Sequence, residues 1–215
     1  MEQAMTAPEL LRLPSPAPAP QALAFDGEHL WLGSWETQRL YGIDPHHFTV
    51  FEEANAPGKP VGAVCVGDEL RLVCSEGSEG DRFIRRFIPG HGFKEHDRIS
   101  CPEHTGSFLA FDGTHLWLSQ RYNKRVFKLD AEYRVTAAVE IGAEVLGVAW
   151  VEGALYASTW HGKEGGCAIV RVADIDTGLI DTVASMPFAA ISLTHDGSRF
   201  WTNDPRTTSL VAFNL

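Results

Sequence analysis

Apolar and polar positions alternate along the chain in short runs, and one of these runs occurs twice almost unchanged. Residues 23–32 read LAFDGEHLWL and residues 109–118 read LAFDGTHLWL. Weaker copies occupy residues 63–72, 148–157 and 193–202. Each copy is an apolar run, a tight turn carrying Gly or Asp, and a second apolar run. This pattern is typical of a β-hairpin, because glycine adopts the positive φ that a tight turn requires. The sequence therefore predicts five hairpins.

The hairpins recur at a nearly constant period. The first apolar residue of each second strand marks the repeat, and successive markers lie 39 to 46 residues apart. The markers are Leu30, Leu70, Leu116, Leu155 and Phe200. A period of this length, with two further strand-like runs in each repeat, is typical of a four-stranded propeller blade. We predict an all-β, five-bladed β-propeller with four antiparallel strands per blade. It forms a single domain over residues 1–215, with blades at about 21–55, 61–100, 107–140, 146–185 and 190–215.

The fifth repeat is shorter than the others. Only the strand-like run 209–213 follows its second strand, whereas residues 9–13 form an apolar run that belongs to no repeat. An N-terminal strand over residues 9–13 would complete the last blade and remove two open sheet edges. We therefore predict a closed ring of five blades.

The layout resembles that of a known family. The period, the blade register and the run Tyr41-Gly42-Ile43-Asp44-Pro45 are similar to the five-bladed propellers of the plant and bacterial glutaminyl cyclases. They resemble streptogramin lyase and YncE-like repeat propellers more loosely. The cyclases carry Phe-Thr-Gln-Gly-Leu at the first inner strand and Gly-Glu-Gly-Leu at the second. Here Gln21 keeps the glutamine, but Gly62 stands where we place the family's acid, so the resemblance implies the fold and not the cyclase reaction.

Composition narrows the classes of function. The formal net charge of −10 argues against nucleic acids and anionic membranes as partners. No run approaches the roughly 18 apolar residues of a membrane span, and the N-terminus lacks the pattern of a secretory signal. The four cysteines show no metal-ligand spacing and are interpreted as reduced thiols. We expect a cytoplasmic monomer.

Candidate chemistry lies in the loops between second and third strands, which all leave the ring on one face. Each begins with Ser or Thr, which indicates either turn hydrogen bonds or ligand contacts. Large aromatic and polar side chains follow. Aromatic rings with a few polar groups between them are typical of small-molecule pockets, and an arginine there would take a carboxylate. The predicted ligand-binding residues are Gln21, Trp35, Glu36, Arg121, Tyr122, Trp160, Asn203 and Arg206.

Three residues are candidates for acid–base chemistry. His161 and His104 fall on the predicted loop face, and Asp204 follows the second strand of the last repeat. We expect Trp35, Arg121, Tyr122, Trp160, His161 and Asp204 to converge around one opening. Glu36, Asn203 and Asp204 offer oxygen ligands, but their spacing specifies no metal, and no cofactor is expected.

The sequence leaves three functions open. A small-molecule enzyme of lyase, cyclase or hydrolase type requires a pocket with a perturbed acid or base. A non-catalytic ligand-binding propeller requires the aromatic pocket alone. A protein-interaction scaffold requires an exposed apolar face instead. The short, aromatic-rich loops favour a small polar or carboxylate-bearing ligand, and enzyme and binder stay open.

Overall fold

A computed structural model describes residues 4–175 and 177–215. Five separate sheets, each of four antiparallel strands, form the blades, as predicted. The inner strands contact one another in the cyclic order β2, β6, β10, β14, β18 and back to β2, which closes the ring around a central channel. No helix among the described residues is long and apolar enough to cross a membrane.

Each blade places its strands in the same order from the channel outward. The inner strands are β2 (Pro20–Phe25), β6 (Lys59–Val66), β10 (Leu109–Phe111), β14 (Glu144–Val151) and β18 (Ile191–His195). The second strands are β3 (Leu30–Ser34), β7 (Glu69–Glu76), β11 (Leu116–Gln120), β15 (Ala154–Trp160) and β19 (Phe200–Asp204). The third strands are β4 (Arg39–Ile43), β8 (Asp81–Ile88), β12 (Arg125–Leu129), β16 (Cys167–Asp174) and β20 (Ser209–Phe213). The outer strands are β5 (Val50–Asn55), β9 (Gly92–Ser100), β13 (Val135–Glu140), β17 (Leu179–Met186) and β1 (Glu9–Pro14). Pro102–His104 form a 3₁₀ turn, and Gly162–Gly165 form one helical turn, α1.

The prediction that an N-terminal strand closes the ring is confirmed. β1 pairs antiparallel with β20, and Leu11 stands opposite Ala212. The buried carboxylate of Asp204 accepts a hydrogen bond from Arg12 Nη1 at 2.9 Å, which ties β1 to the second strand of the same blade. Just before β1, the backbone amide of Ala7 donates a hydrogen bond to the Ser185 carbonyl on blade four. The N-terminal segment therefore joins two blades.

The repeated hairpin is held by an aspartate at its turn. Asp26 accepts hydrogen bonds from the His29 amide at 2.7 Å and from the Trp31 indole at 2.6 Å. Asp112 with Trp117 and Asp196 with Trp201 repeat this arrangement. The three tryptophans are fully buried between blades, so the aspartate satisfies the single polar atom of each ring. This pairing explains the near-identity of the repeats.

Candidate functional site

The loops between second and third strands share one face, because every second strand runs in the same sense. The hydroxyls that begin these loops bond to the backbone. Ser34 Oγ donates to the Pro18 carbonyl at 2.6 Å, and Ser158 Oγ donates to the Ala190 carbonyl at 2.8 Å. Both side chains are buried. These hydroxyls stabilise the strand ends and are not free to contact a ligand.

A cavity of about 290 Å³ opens on this face at the start of the inner strands. We call it the loop-side cavity. It brings together four of the predicted ligand-binding residues, from blades one and three: Gln21, Trp35, Arg121 and Tyr122. Its other lining residues are Ala19, Val61, Arg82, Ser107 and Phe108. A second cavity of about 450 Å³, the side cavity, shares Trp35 and Arg82 with it.

Arg82 is the residue of the loop-side cavity that sequence reasoning missed. Its Nη1 atom is buried and has no hydrogen-bond acceptor among the described residues. Burial lowers the pKa of Arg82, but a guanidinium stays charged in proteins. A buried, charged donor without an acceptor is costly. A ligand with an anionic group would satisfy it.

Neighbouring blades explain why Arg82 lacks an acceptor. Three blades carry an arginine near the start of the third strand: Arg39 opposite Ser34, Arg125 opposite Gln120, and Arg82 opposite Ser75. Relative to the repeat markers, Arg82 stands one position nearer the loop than Arg39, and Phe83 takes the place of Arg39 in blade two. Arg39 donates to Glu53 at 2.9 Å and to Asn55 at 3.1 Å on its outer strand. Arg125 bonds to Glu103 and to Gln120.

In blade two this offset of one residue turns Arg82 to the face opposite that of Arg39, because side chains alternate along a strand. Phe83 stands opposite Ser100 as Arg39 stands opposite Asn55, and the Cys101 amide donates to the Arg82 carbonyl at 2.9 Å. Cys101 is buried, and burial raises its pKa to about 12. The Arg82 guanidinium turns to the cavity instead of to its own blade.

Trp35 forms the wall between the two cavities. The centre of its ring lies 5.0 Å from Lys59 Nζ and 5.5 Å from the Arg82 guanidinium carbon. These are distances for cation–π attraction, so the ring holds two positive charges beside the opening. Arg121 stacks over Tyr122 at 5.0 Å, but its Nε donates to Glu144 at 3.2 Å. Among these cations, Arg82 is thus the one with an unpaired buried donor.

The floor of the loop-side cavity is apolar. Val61 is the residue of β6 that lines it, together with Phe108. Gly62 has no room for a side chain, because a Cβ there would lie 2.3 Å from the Ser107 carbonyl oxygen. The inner strand of blade two therefore brings no carboxylate to the cavity. The cavity combines a cationic and aromatic wall with an apolar floor.

The acid–base candidates do not line the loop-side cavity. His161 is exposed and its Nε2 lies 3.1 Å from Thr159 Oγ1, and His104 is exposed with Nδ1 at 3.4 Å from Ser100 Oγ. Asp204 is occupied by Arg12 and Arg206. Burial raises the pKa of Asp204, but hydrogen bonds from Arg12 and Arg206 outweigh it and hold the pKa below the ordinary value. This carboxylate makes the closure contact with Arg12. Chemistry at His161, His104 and Asp204 stays a prediction.

Four predicted ligand-binding residues also lie outside the loop-side cavity. Glu36 is exposed, and Trp160 is half-buried against the core of blade four. Arg206 contacts Asp204 at 3.4 Å. Asn203 is fully buried, and neither of its side-chain amide atoms has a partner among the described residues. Of the six residues expected to converge, Trp35, Arg121 and Tyr122 line the loop-side cavity.

The fold and this cavity define a five-bladed β-propeller with a cationic, aromatic-walled opening on its loop face. The structure is similar to that of glutaminyl cyclase from Myxococcus xanthus, with a TM-score of 0.73, 15% sequence identity, and coverage of 99% of this chain and 98% of that chain. This finding confirms the resemblance seen in the sequence.

Two other solved structures extend the comparison. Regucalcin from Agrobacterium tumefaciens, a calcium-binding protein, has a TM-score of 0.62 and 12% identity, over 100% of this chain and 96% of that chain. Virginiamycin B lyase from Staphylococcus aureus has a TM-score of 0.53 and 12% identity, over 95% of this chain and 98% of that chain. Identities this low show a shared fold alone. No family model and no curated protein sequence matches the chain.

Proposed function

We propose that the protein binds a small carboxylate-bearing molecule in the loop-side cavity. The observation that carries the proposal is the buried Nη1 of Arg82, which has no acceptor within the described chain. A carboxylate would accept from the Arg82 fork in the bidentate geometry that guanidinium favours. The body of the ligand would lie between Trp35 and the apolar floor of Val61 and Phe108.

The local charge around the cavity differs from the charge of the molecule as a whole. The chain carries a net charge of −10, and long-range repulsion disfavours most anions. Lys59 and Arg82 beside Trp35 provide a local positive region that offsets this repulsion. Of the three similar structures described above, two are named as enzymes, a cyclase and a lyase. The loop-side cavity itself supports binding, and no acid–base pair lines it, so the proposal is a ligand-binding protein.

Benzoate tests the proposal, because it joins a carboxylate to a flat apolar body. Isothermal titration calorimetry should detect benzoate binding to the wild-type protein and much weaker binding of the neutral analogue benzamide. R82Q should weaken benzoate binding by about 10- to 100-fold, the value of a charge-assisted hydrogen bond. R39Q is the control, since Arg39 stands near the start of the third strand of blade one and bonds to its own outer strand. Equal binding of benzoate to R82Q and R39Q would refute the site.

A further inference from the structure

The opposite end of the channel is built from five equivalent residues, one in each blade. The five repeat markers each pair across the hairpin with one residue of the inner strand. These partners are Phe25, Cys65, Phe111, Trp150 and His195. All five are half-buried and line one cavity of about 120 Å³. We call this the turn-side cavity, since it opens among the hairpin turns.

The side chains that line the turn-side cavity are apolar or uncharged, and four of the five equivalent residues are aromatic: Phe25, Phe111, Trp150 and His195. No lysine or arginine is among its lining residues, in contrast to the loop-side cavity. His195 Nδ1 accepts a hydrogen bond from the Gly197 amide at 3.1 Å, which leaves the proton of the neutral ring on Nε2. Burial lowers the pKa of His195, so the neutral form is favoured. The ring therefore adds an aromatic face and no positive charge.

Each blade also carries one acidic residue in or beside its hairpin turn, and we call these five residues the rim. They are Asp26, Asp68, Asp112, Glu152 and Asp196. The charges of these carboxylates also act on residues of neighbouring blades. The pKa of Cys65 is raised to about 11 by burial and by the charges of Asp26 and Asp68, and Glu152 of blade four acts on His195 of blade five. The rim is thus electrostatically coupled to the residues that line the cavity.

We propose that the turn-side cavity binds a small organic cation, an alkylammonium or quaternary ammonium group. Aromatic faces attract such cations through their quadrupoles, and the rim carboxylates complement the charge. The carbonyls on the channel side of the inner strands add acceptors, because each inner strand is the edge of its sheet. This proposal is independent of the loop-side cavity.

Choline chloride tests the proposal, with 3,3-dimethylbutan-1-ol as its neutral isostere. Titration calorimetry at low ionic strength should show choline binding to the wild-type protein and at least tenfold weaker binding of the isostere. D68N/E152Q should weaken choline binding by roughly three- to tenfold through lost Coulomb attraction. Both carboxylates are exposed. The control D181N/E140Q removes two exposed carboxylates from outer strands and should leave binding unchanged.

A second variant tests the cavity itself. C65F places phenylalanine where blades one and three already have Phe25 and Phe111, so the fold should accept it and choline binding should be lost. R82Q should bind choline as the wild type does, which separates this site from the loop-side cavity. The proposal is overturned if choline and its isostere bind equally, if the wild type does not bind choline at millimolar concentration, or if both D68N/E152Q and C65F bind it unchanged.

Discussion

Arg39, Arg82 and Arg125 show how strongly the neighbours of a residue determine its role. All three stand near the start of a third strand, but Arg39 and Arg125 bond to neighbouring side chains. Arg82 stands one position nearer the loop than Arg39, relative to the repeat markers, and lines the loop-side cavity. The arginine repeat is visible in the sequence. The lack of an acceptor for Arg82 is not visible in the sequence, because it depends on the register between the third and outer strands.

A stability measurement separates a ligand-binding Arg82 from a structural one. R82Q should change the free energy of unfolding by less than about 1 kcal/mol, since replacing a buried charge that has no partner relieves desolvation. Urea unfolding followed by tryptophan fluorescence measures this change. A loss above about 2 kcal/mol would mean that Arg82 serves the fold.

The turn aspartates predict how stability depends on pH. Burial raises the pKa of Asp196, but hydrogen bonds from the Trp201 indole, the Ser198 amide and Arg199 outweigh it and lower the pKa below its ordinary value. Asp112 shows the same balance with His115, Thr114 and Trp117. A lowered folded-state pKa stabilises the protein above the unfolded pKa, and this contribution disappears as the pH falls through the folded pKa. We expect stability to decline below about pH 4.

The matched variants are D112N and D196N. Each leaves a buried indole without its carboxylate acceptor and should cost about 1–3 kcal/mol at pH 7. Below pH 4, the stability of each variant should change less with pH than the stability of the wild type does. Thermal melts from pH 2 to pH 7 test both points. Wild-type stability that does not fall in acid would contradict the role given to these carboxylates.

At the scale of elements, the hairpins and the closing strand were predictable from the sequence. The turn glycines have positive φ, with Gly27 at 103° and Gly113 at 94°, as the DG turns indicate. The closing strand follows from counting strands, because an unpaired edge is a liability that folds avoid. The contacts that fix the strand were not predictable. Asp204, a predicted catalytic residue, instead bonds to Arg12 of β1, 192 residues away.

Deletion of residues 1–14 tests the closing strand. The variant exposes the edge of β20 and leaves the Asp204 carboxylate without Arg12. We expect insolubility, or a fall in Tm of more than about 10 °C, corresponding to several kcal/mol for a domain of this size. L10S is the control, because Leu10 is half exposed on the same strand. Melting of the truncated protein within a degree or two of the full chain would contradict closure by β1.

At the scale of the whole molecule, the ring has two mouths of opposite character. The loop-side mouth carries Lys59 and Arg82 at Trp35, whereas the turn-side mouth has aromatic residues and the acidic residues of the rim. Successive strands of a blade alternate in direction, which assigns each loop to one face of the ring. This assignment was predictable from the sequence. The sequence did not indicate which loop residues reach the loop-side cavity. His161 and Trp160 share the loop face with Trp35 but lie outside the cavity.

Cyclase activity is expected to be absent despite the shared fold. Val61 and Gly62 bring no acid to the loop-side cavity, and a larger residue at position 62 would collide with the Ser107 carbonyl. Peptides with N-terminal glutamine should therefore release ammonia no faster with the protein than without it. Enzyme-dependent ammonia release would show that another residue supplies the acid.

The most direct test of the loop-side cavity is a crystal structure with 4-bromobenzoate, located by the anomalous signal of bromine. We predict one bromine peak in the cavity bounded by Trp35, Val61 and Phe108, with the carboxylate bonded to the Arg82 guanidinium. The same soak of R82Q crystals should lose that peak. A bromobenzoate bound elsewhere, or bound in the cavity with its carboxylate directed away from Arg82, would contradict the proposed function.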